Sequence, residues 1–156
     1  MYKRLLLLIL TCSLLLFPSC KEVSADVILR NFCATFPFPE GQLYSSEEKE
    51  NSPRHLDEKT LSILYGEGEF PMYSSSAVML YADMDSILEC GVFVVRGGTG
   101  KLDDITRTEE MFAYRIRQIA LIFPLAKGKI LRYGTTVVYV VSPDNIRAER
   151  VFSRLL

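Results

Sequence analysis

Leu5 to Phe17 is an apolar run interrupted only by Thr11, Cys12 and Ser13, and it follows the charged pair Lys3-Arg4. Everything that folds in water must lie after it. As a helix those residues would span about 20 Å, well short of the ~30 Å hydrocarbon core of a bilayer. A charged start, a short apolar run and then small residues make a signal peptide, so the chain is expected to be exported.

The run ends in Phe17-Pro18-Ser19-Cys20, which resembles the lipobox of bacterial lipoproteins. The resemblance implies that residues 1–19 are removed and that Cys20 becomes a lipidated N-terminus, tethering the domain to the outer side of the cell membrane. Phe17 and Pro18 depart from the usual pattern of that box. Two alternatives stay open. Cleavage after Val23-Ser24-Ala25 would release a secreted protein, and an uncleaved run would act as an anchor. All three place the domain outside the cytoplasm.

Residues 20–156 suffice for one domain with a real core. The chain has 18 Lys and Arg against 19 Asp and Glu, and Lys3 and Arg4 leave with the signal. A weakly acidic domain lacks the basic footprint of a nucleic-acid binder, so no such partner is expected. Of four cysteines, only Cys33 and Cys90 stay inside the domain. Export permits a disulfide between them, but two buried thiols acting as small hydrophobes are the simpler expectation.

Ser24 begins a first helix carrying Val27, Ile28, Phe32 and Phe36, closed by Pro37 and Pro39. Residues 37–55 show no period and carry Glu47-Glu48-Lys49-Glu50, which predicts an exposed, mobile loop. A short helix fits Leu56 to Tyr65, with Leu61 and Leu64 inward and Gly66 as its stop. Ala77–Tyr81 and Ile87–Arg96 read as strands around a turn at Asp83–Ser86. On the second, Leu88, Cys90, Val92 and Val94 share one face, and Glu89, Gly91 and Phe93 the other. A long helix runs from Asp103 or Asp104 to about Ile122 on the stripe Ile105, Thr108, Phe112, Ile116, Ile119. Lys129–Tyr133 and Thr135–Ser142 form a hairpin through Gly134. Asp144 or Asn145 then caps a last helix bearing Ile146, Val151 and Phe152. The order strand, strand, helix, strand, strand, helix predicts an α+β domain. Its four-stranded antiparallel sheet has helices over one face and two short helices before it.

These features resemble a family of small lipoproteins of Gram-positive bacteria known as domain of unknown function 4358. The likeness rests on the lipoprotein-type start, Leu64-Tyr65-Gly66, the Cys90–Val95 strand and the helix from Asp103. It also includes Val137–Ser142 with Pro143-Asp144, and it covers about residues 22–156. It implies extracytoplasmic placement and one α+β domain, and no activity.

Chemistry is sparse. Gly97-Gly98-Thr99-Gly100-Lys101 sits between a strand and a helix, as a phosphate loop does. Val95 and Leu102, however, occupy the positions where a P-loop needs Gly and Ser/Thr. What is left is a flexible connector, or an anion site made by Gly97, Gly98, Gly100 and Lys101 at the helix start, opposed by Asp103 and Asp104. His55 is the only histidine and reads as a surface residue, and no serine lies in a G-x-S-x-G elbow. Asp83-x-Asp85 lacks the further ligands of a calcium loop. The arginines Arg107, Arg115 and Arg117 read as a solvated helix face. No cofactor and no metal are expected. The function expected is a non-catalytic binding or assembly module, attached to the membrane through Cys20 and meeting a protein partner at the cell surface. The alternative is a small hydrolase gathering acids such as Glu69, Asp83, Asp85 or Glu89.

Overall fold

Val137-Val138-Tyr139-Val140-Val141 has no polar position to turn toward water, so a strand made of it must be covered on both sides. The computed structural model, which describes residues 23–36, 38–39, 41–82 and 87–156, shows how that is met. The elements are α1 (Ala25–Thr35), β1 (Gln42–Ser45), α2 (Glu58–Tyr65), β2 (Tyr73–Ala82), β3 (Ile87–Val95), α3 (Lys101–Ile122), β4 (Gly128–Tyr133), β5 (Thr136–Val141) and α4 (Asn145–Leu155). The strands form one sheet in the order β1-β2-β3-β5-β4, every neighbouring pair antiparallel.

The protein is thus α+β, but with five strands rather than four and with helices on both faces rather than one. On one face α1 and α4 cover Cys90, Val92, Val94, Val138 and Val140, with Phe32 stacked between Phe36 and Phe152 at 5.1 and 4.1 Å. On the other, α2 and α3 cover Val78, Phe93, Val95, Val137, Tyr139 and Val141. All six residues of β5 are buried. Among the described residues no helix is long and apolar enough to cross a membrane.

The extra strand lies inside the segment 37–55 expected to be an exposed loop. Only Leu43 and Tyr44 supply apolar side chains there, too few to show a period, yet Leu43 enters the α1 face while Tyr44 turns to the other. The rest is pinned by its backbone. The Ser45 N–H donates to the Arg54 carbonyl, Ser46 N–H to Ser76, and Leu56 N–H back to Ser45. The His55 ring is not simply solvated, because its Nδ1–H donates to the Glu48 carbonyl at 2.8 Å.

Most helix ends follow their caps. Asp57 accepts from Thr60 N–H at 2.7 Å, which starts α2 two residues later than Leu56, and Gly66 stops it at φ 87°. Asp144 accepts from Arg147 N–H at 2.9 Å at the start of α4. There Ala148, Val151 and Phe152 turn inward while Ile146 stands exposed. The Ser24 side chain makes no cap; the Ala25 N–H donates instead to Ser75 Oγ at 2.9 Å. That bond seats the start of α1 at the sheet end marked by Tyr73, Val95 and Thr136, opposite the end marked by Ala82, Ile87 and Val141. Pro37 and the turn Asp83–Ser86 lie outside the described residues.

Because β1 spans Gln42–Ser45 and the Ser46 N–H is bonded to Ser76, the Ser45 and Ser46 amides should exchange with solvent far more slowly than those of Glu50 and Asn51. Equal rates across the segment, read by hydrogen exchange, would return it to a loop.

Candidate functional site

Alternation along β3 sends Glu89, Gly91, Phe93 and Val95 toward α3. Glu89 thereby arrives, fully buried, beneath the middle of that helix. A carboxylate removed from water is very costly unless paired and hydrogen-bonded. Arg115, three residues past the buried Phe112 on α3, meets it with a two-pronged ion pair. Nε donates to Oε1 at 2.7 Å and Nη2 to Oε2 at 2.6 Å. Oε1 also accepts a short bond from the Tyr139 hydroxyl on β5. Because Tyr139 spends its proton there, the Tyr65 hydroxyl donates to Tyr139 at 3.0 Å.

Tyr139 reaches Glu89 only because the residue opposite it in the β3–β5 ladder is Gly91. A Cβ on Gly91 would lie 2.2 Å from the Tyr139 ring. Phe112 closes the other side of that ring, with centroids 4.5 Å apart. Burial and then the Glu89 charge push both Tyr139 and Tyr65 well above the ordinary tyrosine range. Burial works against the Arg115 charge, but the Glu89 hydrogen bonds more than offset it and hold the guanidinium protonated. Both Glu89 oxygens are therefore occupied, and the set orients and locks rather than offering a group to a substrate.

The open surface is nearby and different in kind. Where α3 ends against the Ile87–Val141 end of the sheet lies a groove of about 520 Å³. Ile87, Leu88, Ile122, Phe123, Leu125 and Val141 are among its lining residues. A second hollow of about 220 Å³ shares Ile87, Ile122 and Phe123 with it and adds Ile63, Tyr114 and Arg115. The lining is apolar and open to water: Ile63 and Ile122 are about three-quarters exposed and Leu125 is 95 % exposed.

The residues singled out from sequence do not converge. Cys20, Asp83 and Asp85 lie outside the described residues. Glu69 is exposed, apart from Glu89. Gly97, Gly98, Gly100 and Lys101 form an exposed loop into α3, with Asp103 and Asp104 in its first turn. Gly98 and Gly100 serve positive φ angles, and a Cβ at Gly97, Gly98 or Gly100 would meet nothing within 4 Å. Cys33 and Cys90 are free thiols on the α1 side of the sheet. No group of three or more His, Cys, Asp or Glu that could hold a metal is found among the described residues. Arg115 is the exception to a solvated arginine row, since Arg107 and Arg117 are exposed while it turns inward. The one sequence signal for the buried set is Glu89 beside Gly91 in an otherwise apolar strand; nothing marked Tyr65 or Tyr139 as its partners. No family model, no curated protein and no solved structure matches the chain.

Two outcomes follow from this geometry. Arg115→Leu leaves Glu89 buried without its cation and should cost about 3–5 kcal/mol. The double variant Glu89→Leu/Arg115→Leu should cost less than Arg115→Leu alone, because Tyr139 can then donate to Tyr65. Urea unfolding of wild type and the two variants reads this directly, and a double variant no more stable than Arg115→Leu would show that the pair is not coupled.

Burial pushes the Cys33 thiol up to about 11 and raises Cys90 as well. An unfolded thiol ionises near ~8.5, so deprotonation favours the unfolded chain. Stability from these groups is whole below about pH 8.5 and declines as pH rises toward the folded values. Unfolding midpoints at pH 7, 9 and 10 should show that decline, and Cys33→Ala/Cys90→Ala should remove its first part. An unchanged profile in that variant would contradict the assignment.

Proposed function

We propose that this chain is a lipid-anchored extracytoplasmic binding module, without catalysis of its own. It takes an apolar segment of a partner protein in the groove between the end of α3 and the Ile87–Val141 end of the sheet. The observation that carries this is the set of water-exposed apolar lining residues Ile63, Ile122 and Leu125 along a concave, mostly apolar groove. Contiguous exposed apolar surface beside a groove of this size is the usual mark of a recognition site. The alternative, a hydrolase using acidic residues, needs a carboxylate that reaches substrate, and Glu89 is enclosed by Arg115 and Tyr139.

The fold also bears on the anchor. Ala25 is fully buried and its N–H bonds Ser75 Oγ, so cleavage after Ala25 would remove a seated residue of α1. Cleavage before Cys20 leaves α1 whole, which favours the lipobox over Val23-Ser24-Ala25. The likeness to the lipoproteins of domain of unknown function 4358 belongs to the same proposal and adds placement only.

A photo-crosslinking residue at position 125 in the native cell should give a discrete adduct that is absent when the same residue sits at exposed Thr106. Ile122→Asp should abolish the adduct while leaving the unfolding midpoint within about 0.5 kcal/mol of wild type. Identical adducts from both positions would remove the groove as the site. In parallel, a palmitate analogue should label wild type and not Cys20→Ala; equal labelling of both would remove the anchor.

A further inference from the structure

The position of the start of α1 fixes which end of the domain a lipid on Cys20 would hold. Three residue steps lead from Cys20 to Val23. A chain covers at most ~3.6 Å per residue, so lipid on Cys20 would keep Val23 within about 11 Å of the bilayer and Ala25, the start of α1, within about 18 Å. This step rests on the anchor proposed above.

That start sits at the Tyr73–Val95 end of the sheet, through the Ala25–Ser75 bond. Several other segments finish at the same end. The Arg96 N–H donates to the Met72 carbonyl at 2.9 Å, joining the two chain segments that leave the sheet there. Thr108 packs on the Tyr73 hydroxyl at 3.2 Å, so the preceding turns of α3, with Lys101 and Leu102, project past the strands. Tyr133 meets Ser153 at 2.9 Å, which puts the last turn of α4 and Leu156 alongside.

Large apolar side chains stand in water at this end: Val23, Val27, Met72 at 63 %, Leu102 at 62 %, and Leu156. Exposed Arg96, Lys101 and Arg154 are interleaved with them. Asp103 and Asp104, in the first turn of α3, offset part of that positive charge. Apolar insertion rather than net charge must therefore hold the contact. Interleaved apolar and basic side chains are what an interfacial surface presents to headgroups and the acyl boundary. A surface tethered so closely meets the bilayer at an effective concentration that a dissolved partner does not reach.

We infer that this end of the domain is a membrane-apposed surface, with Met72 and Leu102 entering the headgroup boundary and Arg96 and Lys101 on headgroup phosphates. The sheet then stands off the bilayer. The nine residues of β3 carry the groove about 30 Å outward, facing away from the lipid.

The test uses the full chain, processed by a lipidating host and reconstituted into phosphatidylglycerol–phosphatidylethanolamine vesicles containing nitroxide-labelled lipid. Met72→Cys, Leu102→Cys and Leu125→Cys each carry a bimane. Background labelling is small, because Cys90 is buried and Cys33 ionises only at about 11. Mass spectrometry of the N-terminal peptide reads the lipid in the same preparation. With lipid present, nitroxide should quench positions 72 and 102 severalfold more than position 125. Lipid present with equal quenching at all three overturns this surface alone. An N-terminal peptide without lipid overturns the anchor and the surface built on it together.

Discussion

The buried carboxylate of Glu89 is the group around which the α3 side of the molecule is arranged. It needs a cation, which fixes the rotation of α3 through Arg115. It needs a further donor, which fixes the β3–β5 register through Tyr139. Tyr139 in turn needs the missing side chain at Gly91 and a donor of its own, which brings in Tyr65 and with it α2. A slip of one residue between β3 and β5 would turn Tyr139 to the other face and strand the carboxylate. A buried ion pair is weak evidence for stability, because well-packed apolar residues often serve as well. Its effect here is better described as selection among packings.

The same view explains how much could be read in advance. Long periodic segments were plain: α3 from its stripe, β5 from its valines, α4 from Asp144. The second helix layer was also written in the sequence, in the lack of any polar face along Val137–Val141. An antiparallel sheet ordinarily wets one side, and this one wets neither. β1 was not legible, because four residues with two apolar side chains carry no period and the strand is held by backbone bonds to β2 and to Arg54. Glu89 beside Gly91 was visible as a mixed face. Its partners come from residues 26 and 50 positions away, a separation that local pattern does not span.

The two ends of the sheet differ in what they leave in water, and the difference arises from connectivity. At the Tyr73–Val95 end the chain enters, α3 starts and α4 stops, so helix termini and short loops alternate apolar and basic residues. At the Ile87–Val141 end α3 stops and the chain turns through Phe123-Pro124-Leu125, leaving aliphatic side chains exposed. The 22 residues of α3 reach about 33 Å, slightly more than the nine residues of β3.

The stack of Phe32 on Phe152 joins the first described helix to the last. A chain emerging from a ribosome or a translocation channel makes β2–β3, α3 and the β4–β5 hairpin before α4 is available. Until α4 is free, Cys90, Val92, Val94, Val138 and Val140 are covered by α1 alone. Closure of the domain is therefore tied to the arrival of α4. Before that moment the nascent chain is the form most open to holdases, proteases and pairing with a neighbour.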